Sequence, residues 1–266
     1  MSKQSKHVPM VSEAMGSAAK RQDAAPSDGL GSDTVRTVVV IGGTSGIGTA
    51  IAERFAGSGA RVIAAGLRAA DAPASLGNVA RAVELDITHG NDLEDFITSL
   101  PELDVLVNAA GVIHRGDEYQ PEVFARVVEV NLTGTMRACI GAKPLLRRGG
   151  GCIVNVASML SFFGGPLVPA YTSSKGGVLQ LTKALAVAWA SEGIRVNAVA
   201  PGWIRTGLTA ELHQNADASQ RIIDRTPMGR WGEPADVAGA VAFLCGPDAG
   251  FITGVVLPVD GGYLAA

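Results

Sequence analysis

From residue 35 onward the chain alternates between two apolar patterns. Short β-branched runs end at glycine or asparagine, and longer segments repeat apolar residues at helical spacing. Val38-Val39-Val40-Ile41 is the first run and stops at Gly42-Gly43. Apolar at successive positions, it reads as a parallel strand buried on both faces. Segment 47–58 spaces Ile47, Ala50, Ile51 and Phe55 along one helical face and closes at Gly57-Ser58-Gly59. The same reading predicts strands over 61–65, 80–85, 103–107, 152–156, 195–199 and 255–259. It predicts helices over about 121–143, 171–191 and 233–244, with a short one before residue 80. Strands separated by helices of this length predict an α/β fold, a doubly wound parallel sheet covered on both faces.

No linker follows residue 35, so residues 36–266 are expected to form one domain. Residues 1–35 are rich in Ser, Ala, Gly, Lys and Asp and lack both apolar periodicity and a continuous apolar stretch. They are read as a disordered N-terminal extension and not as a secretory signal. A targeting or partner-binding arm is the alternative.

Composition narrows the function classes. Apolar residues make up 47% and charged residues 18%, as in a globular enzyme, and 266 residues suffice for one full core. A net charge of -3 gives no basic footprint for nucleic acid, and no apolar run reaches membrane-span length. Cys139, Cys152 and Cys245 have neither metal-ligand nor CxxC spacing. They are read as buried small side chains in a reducing, cytoplasmic setting, with no metal.

Two motifs carry chemistry. Gly42-Gly43-Thr44-Ser45-Gly46-Ile47-Gly48 follows the first strand and opens a helix. Backbone N–H groups and the helix dipole at such a place favour a pyrophosphate. Gly42 permits the turn, Gly46 a close approach of backbone, and Gly48 close helix packing. Downstream, Tyr171-Thr172-Ser173-Ser174-Lys175 sets a phenol and an ammonium four residues apart on one helical face. A free tyrosine has a pKa near ~10, and a neighbouring cation favours the phenolate. Tyr171 could then give a proton to a carbonyl or take one from an alcohol. Ser158, at the end of the fifth strand, could hydrogen-bond the substrate oxygen as charge develops.

These pieces, in this order, resemble the short-chain dehydrogenase/reductase family. The resemblance runs from about residue 38 to the C-terminus and rests on Gly42-x-x-x-Gly46-x-Gly48, Asp86, Asn108-Ala109-Ala110-Gly111, Asn131, Ser158, Tyr171-x-x-x-Lys175 and Pro201-Gly202-x-x-x-Thr206. It implies a Rossmann-like fold, NAD or NADP as cofactor, and catalysis by Asn131, Ser158, Tyr171 and Lys175. It further implies that Thr44, Ser45 and Ile47 join the glycines at the cofactor, with Asp86 and Ile87 flanking the adenine. Asn108, with Ala109 and Gly111 after it, would steady the sheet beside the cofactor. Pro201, Gly202, Ile204 and Thr206 would contact nicotinamide and pyrophosphate, and Lys175 would hold the nicotinamide ribose. Asn131 would anchor a proton-relay water, and a homotetramer is implied. Two departures, Ile41 for the family's Thr and Ala109 for its Asn, remove polar groups at strand ends, so local hydrogen bonding must be met otherwise.

The sequence Ala64-Ala65-Gly66-Leu67-Arg68 carries no carboxylate to pair with ribose hydroxyls, and Arg68 could clamp a 2′-phosphate, which points to NADP. Segments 111–115, 157–165 and 227–232 resemble the family's sugar-acid branch, the 2-deoxy-D-gluconate 3- and 2-dehydro-3-deoxy-D-gluconate 5-dehydrogenases. Members of that branch are often NAD-linked, which tips the expectation to NAD. A sugar-acid or polyol substrate calls for a cation, and Arg115 is the first candidate, beside Ser158 and Tyr171; His114 and Arg205 follow. Residues 207–225 are expected to cover the site as a mobile lid. A 3-oxoacyl-thioester reductase and a non-catalytic nucleotide sensor are the alternatives.

Overall fold

The computed structural model describes residues 35–77 and 80–266. The expected N-terminal extension therefore lies outside the described residues, except for Val35. Strands β1 (Thr37–Ile41), β2 (Arg61–Gly66), β3 (Arg81–Glu84), β4 (Val105–Asn108), β5 (Cys152–Val156), β6 (Arg195–Pro201) and β7 (Val256–Val259) form one sheet in the order β3-β2-β1-β4-β5-β6-β7. Every pairing is parallel. The helices are α1 (Gly46–Ala56), α2 (Ala74–Gly77), α3 (Asp92–Thr98), α4 (Pro121–Val128), α5 (Gly134–Leu146), α6 (Pro169–Trp189), α7 (Ala210–Gln214), α8 (Ala216–Arg225) and α9 (Pro234–Cys245). The chain order reverses beside β1, between β2 and β4, and open α/β sheets bind ligands at the strand ends of such a reversal.

Strand alternation divides the core between the two faces. Val38 and Val40 pack with Ile51 and Phe55 of α1 and Val241 and Leu244 of α9. Val39 and Ile41 pack with Ile97 of α3, Ala142 and Leu146 of α5 and Trp189 of α6. Every residue of β1, β4 and β5 is buried, which is why these strands read as near-continuous apolar runs, interrupted by Asn155 in β5 and ended by Asn108 in β4. At the sheet's edge, β3 is mostly exposed, with charged Arg81 and Glu84 at its ends.

The helix expected over 121–143 is interrupted. A π-helical turn, Glu129–Thr133, separates α4 from α5 and contains Asn131. Thr135 Oγ1 donates to Asn131 O at 2.8 Å within this distorted stretch. Helix α6 starts two residues before the expected position because Pro169 serves at its first turn, where no N–H is needed. Segment 207–225 contains α7 and α8, and Asn215 caps α8 by accepting from Ala218 N at 2.9 Å. Trp231, fully buried, fastens α8 by donating from Nε1 to Ser219 Oγ at 2.9 Å.

All three cysteines are buried and free. Cys152 and Cys245 meet with their sulfurs 3.6 Å apart, a pairing that their separation of 93 residues conceals in the sequence. Among the described residues no helix is long and apolar enough to cross a membrane.

Candidate active site

The glycine loop after β1 is shaped by close approach. Gly42 has φ +79°, and a methyl group there would collide with the Ala109–Ala110 backbone after β4. A methyl on Gly48 would strike the Gly42 carbonyl, so the start of α1 can lie on the loop only without a side chain. Ser45 stands at the N-cap of α1 but makes no side-chain cap, and no acidic residue occupies the first turn. The first-turn N–H groups therefore face no competing protein anion, which suits a phosphate. Thr44 Oγ1 donates to Leu67 O at 3.0 Å and ties the loop to the turn after β2. Thr206 lies across from the loop, its side chain 3.5 Å from where a Gly46 Cβ would stand. The loop after β6 thus closes the same recess.

Both departures at the strand ends are met by backbone. Gly42 N donates to Ala65 O, and Ala109 N to Ile41 O, each at 2.7 Å. Ile41 itself is core. Asn108 donates to Asn155 Oδ1 at 2.9 Å, and Asn155 donates to Thr182 Oγ1 of α6 at 3.0 Å. This buried relay ties β4, β5 and α6 together; Asn155 and Thr182 are not marked by any sequence motif. Asn108 Oδ1 has no protein partner.

Asp86 accepts from the N–H and hydroxyl of Thr88 at 2.9 and 2.7 Å, which with Arg126 holds its pKa down. Ile87, expected at the adenine, is buried in the core cluster with its side chain packed against Gly134. Pro201 ends β6, and Gly202 N donates to Val259 O at 3.0 Å; a Cβ on Gly202 would lie 2.7 Å from Asp260. Ile204 is buried. Arg68 adopts a left-handed backbone, φ 54°, on the exposed turn after β2. Glu84 accepts from Arg68 N at 3.0 Å and from Ala69 N at 2.7 Å. Sequence reading found no carboxylate at the end of β2, yet the Gly66–Glu84 register delivers one from β3.

Asn131, Ser158, Tyr171 and Lys175 come together at the ends of β4 and β5. Ser158 is near enough to Tyr171 to lower the phenol's pKa, and its hydroxyl oxygen accepts from Leu160 N at 3.1 Å. Lys175 Nζ donates to Val156 O at 2.6 Å and lies 5.7 Å from the centroid of the Tyr171 ring. Asn131 Oδ1 accepts from Val112 N at 2.8 Å, while Nδ2 donates to Val112 O at 3.0 Å and Ser174 Oγ at 3.1 Å. Both Asn131 side-chain N–H groups are thereby engaged with protein. Gly111 brings its backbone between Asn131 and Lys175, within 3.6 Å of both polar groups from its Cβ position.

The electrostatics differ from the simple lysine–phenol relation read from spacing. Burial raises the Tyr171 pKa above its ordinary value; hydrogen bonding from Ser158 and the charge of Arg115 lower it, and Glu118 raises it. Lys175 is itself desolvated, and its pKa falls to about 8. Its charge is directed at a carbonyl, and Arg115 is the cation that offsets the burial of the phenol.

Arg115 donates to Leu208 O at 3.2 Å and so reaches the segment expected to cover the site. Arg205 pairs instead with exposed Glu233 at 3.3 Å, and His114 is exposed. Sequence reading missed Glu118, which is fully buried. Its Oε1 accepts from His114 N at 2.9 Å and Oε2 from Tyr171 N at 2.8 Å. Nothing in Asp117-Glu118-Tyr119 distinguishes the buried acid from its exposed neighbour.

Comparison with known proteins agrees with this geometry. The family described as enoyl-(acyl carrier protein) reductase matches residues 42–264. The 2-dehydro-3-deoxy-D-gluconate 5-dehydrogenase of Bacillus subtilis (strain 168) is 37% identical over 241 residues, 86% of this chain and 95% of that one. Galactitol 2-dehydrogenase (L-tagatose-forming) of Cereibacter sphaeroides is 39% identical over 243 residues, 84% of this chain and 93% of that one. A crystal structure from Agrobacterium tumefaciens, assigned as a 2-deoxy-D-gluconate 3-dehydrogenase with bound NADP, is 40% identical. It superposes with a TM-score of 0.80 over 87% of this chain and 97% of its own. The chain belongs to the short-chain dehydrogenase/reductase family, whose members are NAD(P)-dependent oxidoreductases. It is an enzyme that interconverts secondary alcohols and ketones.

Proposed function

We propose that this enzyme oxidises a secondary alcohol of a sugar acid or polyol, or reduces the corresponding ketone, with Tyr171 as general acid/base. The observation that carries the reading is the buried Lys175 ammonium, bonded to Val156 O at the end of β5 and 5.7 Å from the Tyr171 ring centroid, with buried Ser158 two residues beyond that strand. The nicotinamide supplies the hydride acceptor or donor when bound. Tyr171 transfers the proton at the substrate oxygen, and Ser158 donates a hydrogen bond to that oxygen as it gains charge. Lys175 would hold a hydroxyl of the cofactor, and Asn131 holds the Gly111–Val112 backbone against the lysine. Arg115, tied to the cover at Leu208, receives the substrate carboxylate.

Gly42, Thr44, Ser45, Gly46, Ile47 and Gly48 would hold the pyrophosphate. Asp86 and the Ile87 backbone would meet the adenine, and Asn108, Ala109 and Gly111 the adjoining ribose. Pro201, Gly202, Ile204 and Thr206 would close over the other half. The expectation of NAD finds no support in the NADP-bound relative. Arg68 on its exposed turn, with Glu84 held by two backbone N–H groups, favours NADP(H). The enzyme would work as a homotetramer, consistent with Ile140 and Val187 being 54% and 84% exposed on α5 and α6. Light scattering tests the assembly.

A second reading, reduction of a 3-oxoacyl thioester, draws on exposed Phe162 and Leu208 near the site. Absorbance at ~340 nm, following the reduced nicotinamide with keto-sugar acids, polyols and an acetoacetyl thioester, separates the two. Turnover of the thioester alone would overturn the sugar-acid reading.

A further inference from the structure

Glu118 combines full burial with a position between two parts of the site. It is in none of the ion pairs among the described residues. A buried carboxylate without a cation is expensive unless N–H donors satisfy it. Here both donors are backbone groups, His114 N at 2.9 Å and Tyr171 N at 2.8 Å, one for each oxygen. The first belongs to the loop carrying Arg115, the second to the first turn of α6. That turn needs a cap: Val168 at the N-cap makes no side-chain bond, and no acidic residue lies in the turn. A negative charge there is favoured by the α6 dipole and by charge-assisted hydrogen bonding.

We infer that Glu118 is a positioning residue for the proton transfer. Its carboxylate fixes Tyr171 against the His114–Arg115 loop and supplies the negative charge on that side of the phenol. This inference rests on the reading of Tyr171 as the proton-transfer group. The groups around the phenol are opposed in sign: Arg115 lowers its pKa, Glu118 raises it, and Ser158 lowers it by hydrogen bonding. Lys175 lies beneath the ring at 5.7 Å. On the same short turn as Glu118, Asp117 and Tyr119 are exposed, and Tyr119 donates to Pro166 O at 2.8 Å. Helix α4, packed on that turn, carries Glu122 and Arg126, and Arg126 is directed to Thr88 at 2.9 Å. Glu118 is thus the acidic group whose charge the phenol registers.

The test compares wild type with Glu118→Gln and Glu118→Asp in the full chain. The Tyr171 phenol is titrated by carbon-labelled tyrosine NMR, assigned with Tyr171→Phe, and steady-state rates are measured with the best ketone of the panel. Glu118→Gln should lower the phenol pKa by about half a unit or more and cut kcat at least ~10-fold. The KM for NADPH should stay within about twofold, because the distant pyrophosphate loop is untouched. A fall in rate with an unmoved phenol would reduce Glu118 to a helix cap and overturn the inference, as would wild-type kcat. Should the Gln variant fail to fold, Glu118→Asp decides. Its shortened carboxylate keeps the charge but cannot span both N–H groups, so kcat should fall about 10-fold with the phenol near its wild-type pKa; an undiminished kcat would overturn the inference. If wild type turns over no ketone, the functional reading fails and the inference falls with it; wild-type turnover with an unmoved phenol in Glu118→Gln overturns the inference alone.

Discussion

The Lys175 ammonium donates to the carbonyl of Val156 at 2.6 Å, within a site so enclosed that the lysine's pKa falls from 10.5 to about 8. A lysine lowered in the folded state binds fewer protons there than in the unfolded chain between those two values. Stability should therefore rise with pH through that window, by about 3 kcal/mol for this group alone. Tyr171, raised by burial, opposes the trend only above the ordinary tyrosine pKa of 10.0, where the unfolded chain loses its proton first. Urea titrations from pH 7 to 9 should show the climb, because above the ordinary thiol pKa of 9.0 the buried Cys139, pushed up to about 12, opposes it. Lys175→Met should flatten it, raise stability at neutral pH and abolish turnover.

Tyr171→Phe removes the phenol oxygen and leaves the ring in place. The kcat should fall by about 10²–10⁴-fold, the range of general acid–base contributions, with NADPH affinity nearly unchanged by fluorescence titration. Retention of more than about a tenth of the wild-type rate would exclude Tyr171 as the proton donor.

Arg115 influences two measurements at once. Arg115→Ala should raise the KM for a sugar acid about 10- to 100-fold, as expected for a lost charged hydrogen bond, and leave that for a neutral polyol much less affected. Because the arginine lowers the Tyr171 pKa, its removal should also move the rising limb of the alcohol-oxidation pH profile to higher pH. An unaltered KM for acidic substrates would eliminate Arg115 as the carboxylate ligand.

Two glycine substitutions should act in opposite directions. Gly48→Ala drives a methyl into the Gly42 carbonyl and should cost roughly 2 kcal/mol or more, together with cofactor binding. Gly176, in α6, has open space where a Cβ would stand. Gly176→Ala should stabilise by about 0.5–1 kcal/mol with kinetics unchanged. Thermal melts with and without NADPH check both.

The strands and helices that were legible from sequence are those whose burial is repetitive. Val38 to Ile41 read as a central strand because both faces of β1 are covered, and the glycine loop was legible because Gly42 and Gly48 are steric necessities. The features that escaped depend on contacts between distant positions. Glu118 looks like any loop acid until His114 and Tyr171 enclose it. Glu84 reaches the turn after β2 only through the register of the sheet, and the Asn155–Thr182 bond joins a strand to a helix that follows it. The π turn was hidden because an added residue does not alter local apolar content. The lysine–phenol spacing was visible, whereas the burial that reshapes both pKa values was not.

The widened turn at Glu129–Thr133 has an architectural effect beyond Asn131. A wider turn holds an additional residue, and each residue of a helix advances the side-chain azimuth by about 100°. The rod entering at Pro121 and leaving at Leu146 is consequently rephased midway: α4 lies along α6, whereas α5 lies along α3. A single length of backbone thereby acts as a splice between two neighbours. Shortening it by one residue would restore a uniform screw and force one of those contacts to be surrendered.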